Sequence, residues 1–385
     1  MQTKEGNKVN NLALVVIFFM LFSISLPSSA WAEYTYIEII PSDWHGAGRP
    51  NGVNAINNGG DIVGEAEDAK GRQKGYLYSG GKYTEIIPPG WMDAYASDIN
   101  DNGDIVGSGN DGGSNKGFLY SGGKYTEIIP PEWFQAGAYA INNSGDIVGG
   151  GWDTNGYTKG FLYSGGKYTE IIPPEWYGAG ARAINNSGDI AGSSWTVAYQ
   201  EWDIFLYSGG RYTTLFISGA VLEGTDASDI NDNGDIVGWI DDRPNYNKSG
   251  FLWNGEVDFP PTYTRFIPPG WDYASANAIN NNGDIVGEGY DLYDLSTKGF
   301  LYSGGKYTEI IPPGWLDAYA YDINDNGDIV GRGIDANGVV KGFLATLMSV
   351  CLNWTDVIGK YNAYVSGSAT WNDVITCYTE YTSPE

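Results

Sequence analysis

Seven copies of Ile-Asn-x-x-Gly-Asp-Ile-(Val/Ala)-Gly divide this chain, with their Gly-Asp steps at Gly60-Asp61, Gly103-Asp104, Gly145-Asp146, Gly188-Asp189, Gly234-Asp235, Gly283-Asp284 and Gly327-Asp328. Successive copies stand 43, 42, 43, 46, 49 and 44 residues apart. A period of about 40 to 50 residues with strand-like content is the mark of propeller blades.

One copy, residues 95–131, reads as four strands. Tyr95 to Asn100 is a short strand A, and Asp101-Asn102-Gly103 is a hairpin turn, because Asn and Gly tolerate positive φ. Asp104 to Gly107 opens strand B, Lys116 to Tyr120 is strand C, and Lys124 to Ile129 is strand D after the turn Ser121-Gly122-Gly123. Pro130-Pro131 ends the unit, since proline donates nothing to a ladder. Adjacent apolar residues such as Phe118-Leu119 and Ile128-Ile129 put side chains on both sheet faces, as a blade stacked between two neighbours requires. A four-stranded unit of this period fits a propeller better than a helical solenoid.

The array begins and ends out of phase. Tyr34 to Ile40 is a strand D with no strand C before it, and Lys341 to Leu344 is a strand C with no strand D after it. Together they complete a seventh blade. The expected fold is all-β, a seven-bladed β-propeller of four-stranded blades over residues 33–345, closed by the N-terminal strand so that no sheet edge stays open. The A–B and C–D hairpins are short. The longer B–C and D–A connections share the opposite face, and Ala-rich strand A suits the crowded axis.

Residues 1–32 read as a signal peptide: Lys4 and Lys8 precede an apolar stretch from Leu12 to Leu26, and Ala30-Trp31-Ala32 offers a cleavage site before Glu33. The expected location is secreted, extracellular or periplasmic, with no transmembrane anchor after cleavage. The net charge of −26 lacks the basic footprint that nucleic-acid binding needs. The single histidine, His45, leaves little material for a His-based metal cage or a His-paired nucleophile.

These units resemble the HAF repeats of extracellular bacterial proteins. The resemblance rests on Ile-Asn-x-x-Gly-x-Ile-Val-Gly with Gly-Phe-Leu-(Tyr/Trp)-x-x-Gly, nearest the usual form at Phe251-Leu252-Trp253-Asn254-Gly255, and it covers residues 34–345. Lys-Gly-Phe, as at Lys116 to Phe118 and Lys298 to Phe300, stands where the family has His-Ala-Phe. The resemblance implies an exported propeller-like domain and brings no activity with it.

Three runs, Asp98 to Gly103, Asp229 to Gly234 and Asp322 to Gly327, match the first half of a calcium loop. The candidate metal ligands are Asp98, Asn100, Asn102, Asp229, Asn231, Asn233, Asp322, Asn324 and Asn326. Four repeats have Ala at the first of these positions and none has a Glu at the twelfth, so Asx-turn chemistry explains the same residues. No cofactor is expected otherwise. Trp44, Trp91, Trp133, Trp176, Trp271 and Trp315 follow strand D in six blades, and such repetition favours wedges between blades over sugar platforms.

The B–C loops are where the repeats stop agreeing, and disagreement within an array often marks its binding face. Their aromatics and carboxylates, Trp152, Asp153, Trp195, Trp202, Asp203, Trp239, Asp241, Asp242, Tyr290, Asp291, Tyr293 and Asp294, suit sugar stacking with hydroxyl hydrogen bonds. The expected function is non-catalytic binding of a polysaccharide or a cell-surface protein through this face. The alternatives are a carbohydrate-active enzyme using loop carboxylates and a structural surface protein. No Gly-x-Ser-x-Gly and no His-Glu-x-x-His occurs, so catalysis is not the expectation.

Residues 346–385 follow another pattern. Asn353-Trp354-Thr355-Asp356-Val357-Ile358 is echoed after 17 residues by Thr370-Trp371-Asn372-Asp373-Val374-Ile375, with N-caps and helical apolar spacing. This predicts a small α-helical hairpin of two 17-residue repeats, with Cys351 and Cys377 placed for one disulfide that would add about 3 to 4 kcal/mol.

Overall fold

A computed structural model describes residues 34–39, 52–174, 176–196, 201–215, 224–242, 247–254 and 263–347. The leader, Trp44 and the C-terminal segment with Cys351 and Cys377 lie outside them. All regular structure among the described residues is strand, arranged as seven four-stranded antiparallel sheets, a seven-bladed β-propeller.

In chain order the blades span Gly52–Ile86, Asp93–Ile128, Trp133–Ile171, Gly178–Leu215, Thr225–Phe266, Trp271–Ile310 and Asp317–Leu347. Each runs A-B-C-D across its sheet. In blade 3 the strands are A (Trp133–Ile141), B (Ile147–Asp153), C (Thr158–Ser164) and D (Lys167–Ile171). Each strand A packs on the strand A of the next blade, and that of blade 7 on that of blade 1, forming a ring. The seventh sheet takes its outer strand from Tyr34–Ile39, which pairs with Val340–Leu347 from Tyr34↔Leu347 to Ile39↔Gly342.

The adjacent apolar residues of the motif serve two cores. Ile105 joins the cluster between blades 1 and 2, whereas Val106 joins the one between blades 2 and 3. A fully buried phenylalanine anchors strand C in six blades (Phe118, Phe161, Phe205, Phe251, Phe300 and Phe343), each burial stabilising by about 2–3 kcal/mol. Blade 1 has Tyr76 there, whose hydroxyl donates to the Gly52 carbonyl at 3.0 Å, so the extra polar atom is satisfied. Trp91, Trp133, Trp271 and Trp315 meet Phe118, Phe161, Phe300 and Phe343 edge to face at 5.9–6.1 Å, and Trp176 joins the corresponding cluster. These tryptophans are packing residues.

The geometry also explains the glycine that closes each motif. Strand A carries a register shift in every blade, between Ala138 and Ala140 in blade 3, and there its backbone leans on strand B. A Cβ at Gly149 would sit 2.0 Å from the Gly137 carbonyl oxygen. Only glycine fits that approach.

Candidate functional site

At the A–B turn end, the invariant asparagine does two jobs. Asn142 Oδ1 accepts from the amides of Ser144 (3.1 Å) and Asp146 (2.9 Å), which holds the turn. Its Nδ2 donates to the Asn185 carbonyl of the next blade at 3.1 Å. The same interblade bond runs from Asn57 to Asn100, Asn100 to Asn142, Asn185 to Asn231, Asn231 to Asn280, Asn280 to Asn324 and Asn324 back to Asn57. A second ring, one residue on, links the amide of each blade to the side chain of the next, from Asn58 to Asp101 through to Asp325 and back to Asn58.

The remaining residues of the half-calcium runs join this network. Asp98 accepts from Ile99 and from Ile141 of the next blade, both at 2.8 Å; Asp229 and Asp322 bridge to Ile279 and Ile56 in the same way. Asn102, Asn233 and Asn326 donate to the carbonyls of Asn143, Asn281 and Asn58. Burial raises the Asp98 carboxyl to about 6 and Asp322 to about 7, with mutual repulsion adding to it, and raises Asp229 as well. Among the described residues no three His, Cys, Asp or Glu side chains converge as a metal cage would require.

At the loop end, the B–C carboxylates meet the lysine of Lys-Gly-Phe. Lys116 Nζ reaches Asp111 at 2.9 Å and Glu127 of strand D at 3.0 Å. Blades 1, 3, 6 and 7 repeat this triad through Lys74, Lys159, Lys298 and Lys341. The Lys116 ammonium, helped by the Gly113 and Ser114 amides, pulls Asp111 down to about 2. Asp153 and Asp291 belong to this series. Asp153 is buried, caps the amides of Asn155 and Tyr157, and pairs with Lys159 at 3.2 Å. Asp291 caps Tyr293 and pairs with Lys298 at 2.8 Å, while Asp294 reaches the same ammonium.

The other candidate residues are dispersed. Trp195 and Trp202 are cross-strand partners in blade 4, and their side chains, like that of Asp242, lie outside the described residues. Asp203 is buried; Trp239 lies under the Lys248 ammonium at 4.1 Å; the Asp241 amide donates to the Gly224 carbonyl. Tyr290 stacks on Tyr273 at 6.2 Å, and Tyr293 is 88% exposed.

Among the candidates whose side chains are described, Trp152 alone lines a cleft of about 620 Å³ that runs between blades 3 and 4 on the loop face. Its walls are rings. Trp152 is 46% exposed and packs on Phe134, and Tyr157 meets Tyr177 of blade 4 edge to face at 6.2 Å. Tyr95, Tyr139 and Arg182 close the axial end. Gly137, Gly150 and Gly180 leave the floor bare, where other blades carry Tyr95, Glu65, Glu288 or Arg332 at equivalent places. The cleft exists because blades 3 and 4 omit side chains there. The sequence signal for it is the glycine runs inside strands A and B, outside the B–C loops.

No protein-family model and no curated protein sequence matches this chain. Among solved structures it is similar to the Pyrococcus horikoshii acylaminoacyl peptidase, with a TM-score of 0.53 and 12% identity over 81% of this chain and 54% of that one. It is similar too to a Mycobacterium tuberculosis puromycin-hydrolyzing peptidase, with a TM-score of 0.54 and 12% identity over 83% and 56%. The chain thus spans about half the length of either peptidase. A lectin of Aleuria aurantia in complex with Fucα1-6GlcNAc matches with a TM-score of 0.41 and 13% identity over 71% of this chain and all of that one. At these identities the likeness to the two peptidases is one of fold alone, and the seven blades are this chain's own.

Proposed function

We propose that this protein is an exported, non-catalytic propeller that binds a glycan in the cleft between blades 3 and 4. One observation carries the reading: three large rings, Trp152, Tyr157 and Tyr177, stand 46%, 47% and 60% exposed around a floor of glycines. The phenylalanines of strand C and the described tryptophans after strand D are packed between blades, whereas these three rings stand together beside open space and so suit the faces of sugar rings. Neutral hydrogen-bonding groups on Asn115, Gln135 and Thr158 line the same space, as hydroxyl recognition requires. Export and membership of the HAF-repeat family belong to this reading and rest on the leader and the motifs. So does closure of the ring by Tyr34–Ile39, which the six-residue ladder to Val340–Leu347 supports.

The double substitution Trp152→Ala/Tyr177→Ala tests it, with binding measured against a polysaccharide panel and thermal melting measured alongside. The expected result is at least tenfold weaker binding, about 1.4 kcal/mol, with melting unchanged. Unaltered binding, or no binding of any polysaccharide by the parent protein, would overturn the reading.

A further inference from the structure

Resting on that reading, we infer that the cleft takes a carboxylate-bearing sugar, a uronic acid, with Arg182 as the receptor for its carboxylate. The first ground is charge. The chain carries 47 acidic residues, yet among the described residues no Asp or Glu lines the cleft, and the one charged lining group is Arg182. A surface this acidic repels polyanions, and the cleft is where that repulsion is relieved.

The second ground is how Arg182 is held. Its Nε donates to Asp226 Oδ1 at 3.3 Å and its Nη2 lies 3.1 Å from Oδ2, so the carboxylate grips the side edge of the guanidinium. Asp226 is fixed in turn by Ser193 Oγ, which also accepts from the Ala227 amide at 3.0 Å. The guanidinium lies 5.6 Å over the Tyr139 ring. A guanidinium has two edges able to grip a carboxylate, and Asp226 occupies one. The end edge, formed by Nη1 and the second Nη2 hydrogen, has no partner among the described residues, and the Arg182 side chain is 44% exposed at the cleft. Two parallel N–H bonds from that edge would seize a planar carboxylate while Trp152 or Tyr177 stacks on the sugar ring. Because Asp226 already balances the charge, the pull is short-ranged and hydrogen-bonded, and salt weakens it only modestly.

The experiment uses the full chain and measures its affinity for polygalacturonate, alginate and a glucuronoxylan, each beside its carboxyl-reduced counterpart, which keeps the ring and loses the charge. At least one polyuronate is expected to bind at least tenfold more tightly than its reduced form. Arg182→Gln should remove that difference and leave the reduced form's affinity unchanged, and Arg182→Lys, which keeps the charge without the fork, should restore part of it. Equal binding of acid and reduced forms would overturn the inference while the glycan reading stands. So would an Arg182→Gln protein that folds and loses both forms equally. No binding of any polysaccharide would end both. Since the paired polymers are compared on the parent protein, the outcome does not depend on either variant folding.

Discussion

At the A–B turn end of the propeller the same side chain makes the same interblade hydrogen bond seven times, from Asn57 round to Asn324 and back. At the loop end the blades differ. Five carry an Asp–Lys–Glu triad, blades 4 and 5 place Asp203 and Ser249 where the lysine would be, and blades 3 and 4 open a glycine-floored cleft. Repetition at one end fixes the ring, because a cyclic set of bonds closes only if every member supplies both donor and acceptor. The freedom at the other end follows, since loop-end side chains are not bound by that condition.

Two adjacent glycines in strand B of blade 3 break this comparison most sharply. Gly149 is the motif glycine, and an added Cβ meets the Gly137 carbonyl oxygen at 2.0 Å. The backbone must move, so Gly149→Ala should cost about 3 kcal/mol or more. Gly150 belongs to the cleft floor, where a Cβ has its nearest contact at 3.3 Å, on the Lys159 carbonyl oxygen. Gly150→Ala should change stability by less than about 1 kcal/mol while weakening glycan binding. Urea unfolding of the two variants decides it. Similar losses of stability would mean that the cleft glycines, too, are architecture.

Next in size is the ring itself. Asn142→Ala removes two turn bonds and one interblade bond and leaves the Asn185 carbonyl with only the Gly188 amide of its own turn. Each lost bond counts for about 1 kcal/mol, so a destabilisation of about 3 kcal/mol is expected, with glycan affinity untouched. The loss should be similar at Asn185 or Asn280, because the ring has no privileged member. A loss below about 0.5 kcal/mol would show that neither the turn bonds nor the interblade bond adds to stability.

How much of this was legible beforehand follows the same division. The motif spacing, the doubled apolar residues and the out-of-phase ends carried the propeller, because each is a local pattern with one packing solution. Asn-Gly and Asx chemistry was readable at each turn. The closed hydrogen-bonded ring was not, since the bond from Asn324 to Asn57 joins residues that only the finished circle brings together. Asp153 and Asp291 looked like ligands for want of a partner in view. Their partner lysines lie only six or seven residues on, but the pairing becomes visible once strands B and C are laid side by side. The cleft depends on absent side chains in two neighbouring blades, and composition registers residues that are present.

A further expected effect is a pH dependence that separates the two ends. Asp98, Asp229 and Asp322 stand buried beside the ring, and Asp98 and Asp322 titrate in the folded state at about 6 and about 7. Glu65 and Glu288, buried against Asn54 and Asn277, are raised as well. An ordinary carboxylate in the unfolded chain titrates near 4, so between about pH 4 and 7 the folded protein holds protons that the unfolded chain has lost. Stability from these groups is therefore full below about pH 4 and drains away as the pH rises through 7. The loop-end carboxylates work oppositely: Asp111 and Asp335, at about 2, add stability above the ordinary value and lose it as the pH falls. The two trends place the optimum near pH 4 to 5, acid of the usual range. Asp322→Asn should flatten the decline between pH 5 and 8 and leave the acid limb in place, whereas Lys116→Met should do the reverse. A melting temperature that rises steadily from pH 5 to 8 in the parent protein would show that the buried carboxylates are ionised at little cost, and that the hydrogen bonds from Ile99, Ile141, Ile56 and their counterparts outweigh burial.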